Sequence, residues 1–418
     1  MTGRASRNVP GQHAIARERP ERLGFDSARL ERIADWQQRY VNAGRFPGSS
    51  VLVARHGEVA YLNCAGWRDV EAKGAWAADT LVRIYSMTKP VTAVGLMLLY
   101  EQGLIHLDDP VDQFLPEFAN QLVLVSGATG IGDTEPARTR VTLHHLLTHT
   151  SGLTYGFNGH VLGEIYEREE LGTNPGAGGL ASVVKRIAAL PLAHQPGVRW
   201  TYGVSIDVIG RVIEVVSGLP LDRYLAERIF VPLGMADTGF AVPDVKLARY
   251  ANLYEPGPDR RLKLVERARE CPHRAGKVDT FLGGAGLIST LTDYWHFAEM
   301  LRGGGAFKGE RIIGPRTLAL MHANHLPGDL ASMGPRTWAE TSFEGVGFGL
   351  AGWVMLDPVQ AQMSGSPGDF GWGGMASTVF WVDPKEDLVV VFLTQLVPSS
   401  AWPNRKELRA LVHQAIVD

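Results

Sequence analysis

The chain has 418 residues, 45% of them hydrophobic, with 41 basic side chains against 44 acidic ones and a net charge of −3. This near balance, without any long block of like charge, argues against a nucleic-acid, polyanion or membrane-surface partner. The length exceeds what one compact core usually reaches, so two domains, or one domain with a large insertion, are expected.

Met1 to Pro20 carries scattered Arg4, Arg7, Arg17 and Arg19 but no apolar stretch of signal-peptide length, so a cytoplasmic location is expected. Val91 to Tyr100 is the apolar run to test as a membrane span; it is too short and is flanked by Lys89 and Glu101. Cys64 and Cys271 show no C-x-x-C spacing and read as reduced, mostly buried thiols, not as a disulfide framework or zinc site.

Asp26 opens the first predicted helix, which runs to Gly44 with Leu30, Ile33, Ala34 and Trp36 on one face. Ser49 to Ala54 and Val59 to Cys64 are β-rich runs about Arg55-His56-Gly57-Glu58, the pattern of a tight hairpin. Thr80 to Ile84 reads as a further strand. Val91 to Tyr100 then predicts a helix that is apolar on nearly every face, hence buried, with Gly103 as its C-cap.

Beyond this point strand signals thin out, and Thr142 to Leu147, Ala181 to Ala189 and Ile206 to Val216 predict helices. Gly172 to Gly179 and Glu255 to Arg261 are Gly- and Pro-rich loops. Strands return at Thr378 to Val382 and Leu388 to Leu393, and Lys406 to Ile416 predicts a closing helix. Both termini thus build one α/β domain, residues 20–115 and 270–418, into which a mostly helical domain of residues 116–269 is inserted.

The pattern Ser-x-x-Lys occurs at Ser86-Met87-Thr88-Lys89 and again at Ser182-Val183-Val184-Lys185, so alone it is weak. Context separates the two copies. The first opens the buried helix, where free backbone N–H groups favour developing negative charge and Lys89 falls one turn from Ser86. In the second, Lys185 and Arg186 read as the solvated side of a helix and Ser182 as its cap.

A serine hydroxyl needs a base within hydrogen-bond reach, and a lysine amine serves only where burial or a cation lowers its ordinary pKa of about 10.4. Tyr202, after the Gln195-Pro196-Gly197 turn and before a helix, is the candidate third residue. The glycine-rich stretch Gly371-Trp372-Gly373-Gly374-Met375-Ala376 lets a substrate approach the backbone and offers an oxyanion N–H opposite Ser86.

These residues, with Leu146-Leu147-Thr148-His149-Thr150-Ser151-Gly152-Leu153 and Gly283-Gly284-Ala285-Gly286-Leu287, resemble the serine β-lactamase and penicillin-binding-protein superfamily. The likeness runs from about Asp26 to about His413. It is greatest to the class C-like family VIII carboxylesterases and includes the fungal statin side-chain acyltransferase.

The resemblance implies an α/β (α+β) β-lactamase-like fold, a central antiparallel sheet flanked by helices, with the site in the cleft between the two domains. It also implies Ser86 as nucleophile, Lys89 as its activating partner and Tyr202 as base and proton donor to the leaving group. The oxyanion would rest on the N–H groups of Ser86 and Met375, beside Gly374, Gly373 and Trp372.

Two departures bear on substrate. The family's Tyr-x-Asn is here Tyr202-Gly203-Val204, and its Lys-Thr-Gly is Trp372-Gly373-Gly374. The amide, cation and hydroxyl that would hold an anionic β-lactam are missing, and burying a carboxylate without them costs on the order of a few kcal/mol. Small, short-chain, neutral esters are therefore the expected substrates, with Trp372 as an apolar wall. An acyltransferase to an alcohol, a weak β-lactamase or amidase, and a catalytically inactive binding protein of the same fold are the alternatives.

No cofactor or metal is called for, and a small-molecule ester is the expected partner. His145 and His149 are one helical turn apart but lack the intervening Glu of a zinc-protease helix, and His149 is expected to cap or close the Ser151-Gly152 turn. No Gly-x-Ser-x-Gly elbow occurs.

Overall fold

Helix α1 (Ser27–Asn42) starts at Asp26, whose side chain accepts from the Arg29 N–H, and buries Leu30, Ile33, Trp36 and Tyr40. That stripe covers the antiparallel hairpin of β1 (Gly48–Arg55) and β2 (Glu58–Asp69), which continues into β3 (Gly74–Ala75). The structure, a computed structural model, describes residues 15–159, 161–338 and 341–418.

Of the strand expected from Thr80 to Ile84, only Val82–Arg83 forms a ladder, with Ile288–Ser289. Leu81 bridges to Tyr250 and the Ile84 N–H bonds the Leu287 carbonyl, so separate segments divide the run between them. Helix α2 (Thr88–Glu101) follows and is buried without interruption from Thr88 to Leu99; the apolar run from Val91 predicts most of this burial, and Thr88 and Lys89 are drawn into it at the start. Its C-cap is Gln102, and Gly103, at φ +69, takes the left-handed position just beyond.

The predicted helices of the middle stretch are α3 (Leu143–Leu147), α4 (Leu180–Ala188) and α5 (Ser205–Ser217), followed by α6 (Leu221–Leu225). α5 packs against α2. Two hairpins interrupt the helices, Leu122–Leu124 with Thr134–Pro136 and Leu253–Pro256 with Leu262–Glu266. The second turns on Gly257, whose N–H bonds the Arg261 carbonyl, in a segment that composition marks only as a loop.

Helix α7 (Leu291–Arg302) leads to β4 (Val346–Phe348), β5 (Trp353–Met355), β6 (Phe370–Gly373), β7 (Val379–Asp383) and β8 (Leu388–Thr394), and α8 (Asn404–His413) closes the fold. The strands form one antiparallel sheet in the order β4-β5-β6-β7-β8-β1-β2-β3. β1 and β8 pair at its centre, Leu52 opposite Val391, so strands from the two ends of the chain meet there.

Both faces of the central strands are covered. Leu52, Ala54, Val389 and Val391 join the large core around α2, while Val51, Val53, Val390 and Phe392 join a second core beneath α1 and α8. This two-sided burial is why these strands are near-continuous apolar runs. Each fully buried Leu or Val contributes about 1.5–3 kcal/mol. Cys64 and Cys271 are free thiols. No helix among the described residues is long and apolar enough to cross a membrane.

Candidate active site

Ser86 lies in a single 3-10 turn (Tyr85–Met87) that runs directly into α2. The residue before it, Tyr85, has φ +44, a left-handed conformation costing about 1–3 kcal/mol in a non-glycine residue. One turn along, Lys89 is fully buried. Its Nζ donates to the Gly284 carbonyl at 2.8 Å and lies 3.3 Å from Ser86 Oγ and 3.0 Å from the Tyr155 hydroxyl. A buried ammonium has three N–H donors to satisfy, and this arrangement supplies three oxygens.

Tyr202 reaches the same place from the loop before α5, with the Lys89 ammonium 4.6 Å from its ring centroid. Its segment is fixed at several points. The Thr201 N–H bonds the His149 carbonyl at 2.8 Å, and Asn158 Nδ2 donates to the Tyr202 carbonyl at 2.7 Å. Trp372 Nε1 donates to the Tyr202 hydroxyl at 3.3 Å, so Trp372 is a hydrogen-bond donor as well as the expected apolar wall. Because an indole N–H only donates, the Tyr202 oxygen accepts there and its own proton points elsewhere.

The 372–375 segment leaves the sheet at the end of β6. Gly374 packs so closely on the Ile84 carbonyl that a Cβ would collide with it, and this approach brings the strand end against the turn that carries Ser86. Ser377, at φ +66, closes the tight turn behind Met375, and the Gly374 N–H bonds the Thr378 carbonyl at 2.9 Å. Strained non-glycine residues thus flank all three converging segments: Tyr85, His149 at φ +54, and Ser377.

Two groups that the sequence reading passes over complete the arrangement. Tyr155, which follows the Leu146–Leu153 motif by two residues, stacks on Phe157 with ring centroids 5.1 Å apart and tilts against Tyr202 at 5.3 Å. Burial, with Asp207 and Tyr202 nearby, holds its hydroxyl well above the ordinary tyrosine range. Asp207, in the first turn of α5, accepts from the Gly284 N–H at 2.9 Å, so the Gly284 residue links it to Lys89. Its other oxygen, Oδ2, has no hydrogen-bond partner among the described residues.

Burial pushes the Asp207 carboxyl up to about 6, with the Lys89 charge pulling the other way. The sequence did carry a signal here, a lone acid between Ile206 and Val208 on a buried helix face. His149 is buried against Tyr202, Trp200 and Phe348, and burial together with Lys89 keeps its imidazole neutral, well below its ordinary value.

One expectation needs correcting. Gly179, not Ser182, is the N-cap of α4, so Ser182 is an exposed residue inside the helix with Lys185 exposed beside it. His149, at φ +54, takes the left-handed position that closes α3 ahead of Ser151-Gly152, its N–H bonding the Leu146 carbonyl and the Thr150 N–H the His145 carbonyl, while His145 forms a reciprocal box with Thr142 at the other end of the helix. Among the described residues, no group of three His, Cys, Asp or Glu side chains is placed to hold a metal ion.

The model of the family described as Beta-lactamase matches residues 33–414. The chain belongs to the β-lactamase family. Within this family, an uncharacterized Mycobacterium tuberculosis protein is 36% identical over 366 residues, 85% of this chain and 88% of its own. Esterase EstB of Burkholderia gladioli is 34% identical over 385 residues, 88% and 90% of the two chains. Monacolin J acid methylbutanoyltransferase of Aspergillus terreus is 30% identical over 386 residues, 86% and 89% of the two chains.

Among solved structures of this fold, EstCE1, described as a hydrolase with promiscuous acyltransferase activity, superposes with a TM-score of 0.78 at 28% identity, covering 96% of this chain and 99% of its own. Unliganded simvastatin synthase from Aspergillus terreus gives the same TM-score at 26% identity, covering 94% and 98%. The β-lactamase-like fold, its large antiparallel sheet and its flanking helices agree with the architecture described above.

Proposed function

We propose that this protein is a serine carboxylesterase that hydrolyses small, neutral, short-chain carboxylic esters through an acyl-enzyme on Ser86. The observation that carries this reading is the buried Lys89 ammonium, held between the Gly284 carbonyl, the Tyr155 hydroxyl and Ser86 Oγ. Ser86 Oγ attacks the ester carbonyl and its proton passes to Tyr202, which acts as base in its phenolate form beside the Lys89 ammonium. The oxyanion rests on the N–H groups of Ser86 and Met375. Tyr202 returns the proton to the leaving alcohol, and water then cleaves the acyl-enzyme by the reverse route.

The site sits in the cleft between an α/β unit, residues 20–115 and 270–418, and a mostly helical unit, residues 116–269. Ser86, Lys89 and the 372–375 strand come from the first unit, Tyr155 and Tyr202 from the second. Neutral substrates are favoured because Trp372 and Gly373 stand where a cation and a hydroxyl would hold a carboxylate. Turnover of p-nitrophenyl acetate is expected to exceed that of the chromogenic cephalosporin nitrocefin by orders of magnitude; comparable rates refute the substrate assignment.

A second reading, acyl transfer to an alcohol, uses the same residues and is favoured by the aromatic cluster of Tyr155, Phe157, Tyr202, Trp372 and Phe348 around the site, an apolar surface suited to an alcohol acceptor. The acyltransferase relatives point the same way. The ratio of new ester to free acid in the presence of an added alcohol separates the two.

A further inference from the structure

Lys-Thr-Gly is replaced here by Trp372-Gly373-Gly374, which removes the strand's cation. The fold brings one back from behind. Arg405, in the first turn of α8, extends Nη2 to the Gly374 carbonyl at 2.9 Å and to the Thr378 carbonyl at 3.3 Å. Beside it, Asn404 Nδ2 donates to the Ser377 carbonyl at 3.3 Å. Consecutive side chains of the C-terminal helix therefore grip the turn that carries Met375 by three of its carbonyls.

The guanidinium also explains Gly373. A Cβ at that position would lie 2.8 Å from Arg405 Nη2 and 2.9 Å from Cζ, so the place of a threonine side chain is already filled. The paired glycines answer to opposite neighbours, Gly374 to the Ile84 carbonyl near the nucleophile and Gly373 to the arginine.

The Gly374 carbonyl and the Met375 N–H belong to one peptide unit. That carbonyl accepts from Arg405 and also from the Ser377 N–H at 3.1 Å. Donors on a peptide oxygen polarise the amide and strengthen the N–H at its other end, and a charged donor does so more than a neutral one. We infer that Arg405 is a positioning residue for ester cleavage: it polarises the Gly374–Met375 peptide from behind, takes over the missing strand cation's electrostatic role, and leaves the front of the site neutral for uncharged substrates. This rests on the reading of Met375 as an oxyanion donor.

The test is infrared spectroscopy of the acyl-enzyme ester carbonyl, trapped from a slowly deacylating ester, in the wild type, Arg405→Lys and Arg405→Met, with the acid-denatured acyl-enzyme as reference. In the wild type the band should lie below the denatured reference. It should move part of the way back in Arg405→Met and less in Arg405→Lys, which keeps a charge. kcat should fall about 10- to 100-fold in Arg405→Met with KM little changed, less than the 10²–10³ that losing a whole oxyanion donor costs.

A folded Arg405→Met that acylates at Ser86 with an unmoved band overturns the proposal while sparing the oxyanion reading. A wild-type band equal to the denatured reference removes both. Should Arg405→Met not fold, Gly373→Ser, which displaces the guanidinium without deleting it, carries the same comparison together with Arg405→Lys. An unmoved band in both variants likewise overturns the proposal.

Discussion

The same four-residue pattern stands at two places in this molecule with opposite surroundings. Ser86 and Lys89 enter a helix buried on every side, the amine hemmed in by Gly284, Tyr155 and the Tyr202 ring. Ser182 and Lys185 lie on the exposed side of α4, whose buried side is Leu180, Val183, Val184 and Ile187. The serine-to-lysine spacing is identical, so the difference in chemistry proposed for the two copies rests on desolvation and neighbours. Water screens and satisfies an exposed amine, whereas a buried one must find its partners in the protein.

The sharpest way to break this comparison is to remove each serine in turn. Ser86→Ala should abolish fluorophosphonate labelling, read by intact-protein mass, and lower ester turnover by about 10⁴-fold or more, while Ser182→Ala leaves both unchanged. Labelling that persists in Ser86→Ala moves the nucleophile elsewhere. Next come the lysines: Lys89→Met should cost about 10²–10⁴ in kcat and Lys185→Met nothing measurable in the same assay.

A third contrast lies in the charge behind each lysine, since Asp207 backs Lys89 through Gly284. Its carboxyl, raised from 3.8 to about 6, binds a proton more tightly in the folded chain than in the unfolded one. Stability from this group is therefore greatest below about pH 4 and falls as pH rises to 6. The full cost above that is about 3 kcal/mol. Asp207→Asn should flatten this part of the urea-denaturation pH profile, and an unchanged slope between pH 4 and 6 would show that Asp207 titrates normally. The smallest effect should be that of Tyr155→Phe, about 10-fold in kcat from the loss of one oxygen partner of Lys89.

Much of the fold was legible because its signals are local. The Asp26 cap, the α1 stripe, the β1–β2 hairpin and the unbroken apolar run of α2 each follow from neighbouring residues. Where a pattern depended on distant partners it misled, as at Thr80 to Ile84, which looks like a strand but is shared between separate segments; the Glu255–Arg261 loop is a turn as read, and what composition did not show is the short strands flanking it. Ser182 was assigned a cap that the chain gives to Gly179.

By itself the sequence determined most of the elements and the meeting of the two termini in one sheet, and it singled out Ser86 over Ser182 as the serine to test, because period, composition and motif order are written along the chain. Only the tertiary structure decided that Lys89 is shared with Tyr155, that Asp207 stands behind it, and that Arg405 lies under Gly373. These contacts join residues 66, 77 and 32 positions or more apart. Hydrogen bonding and burial act over a few ångströms of space, and no spacing along the chain records which distant residues the fold will bring within that range.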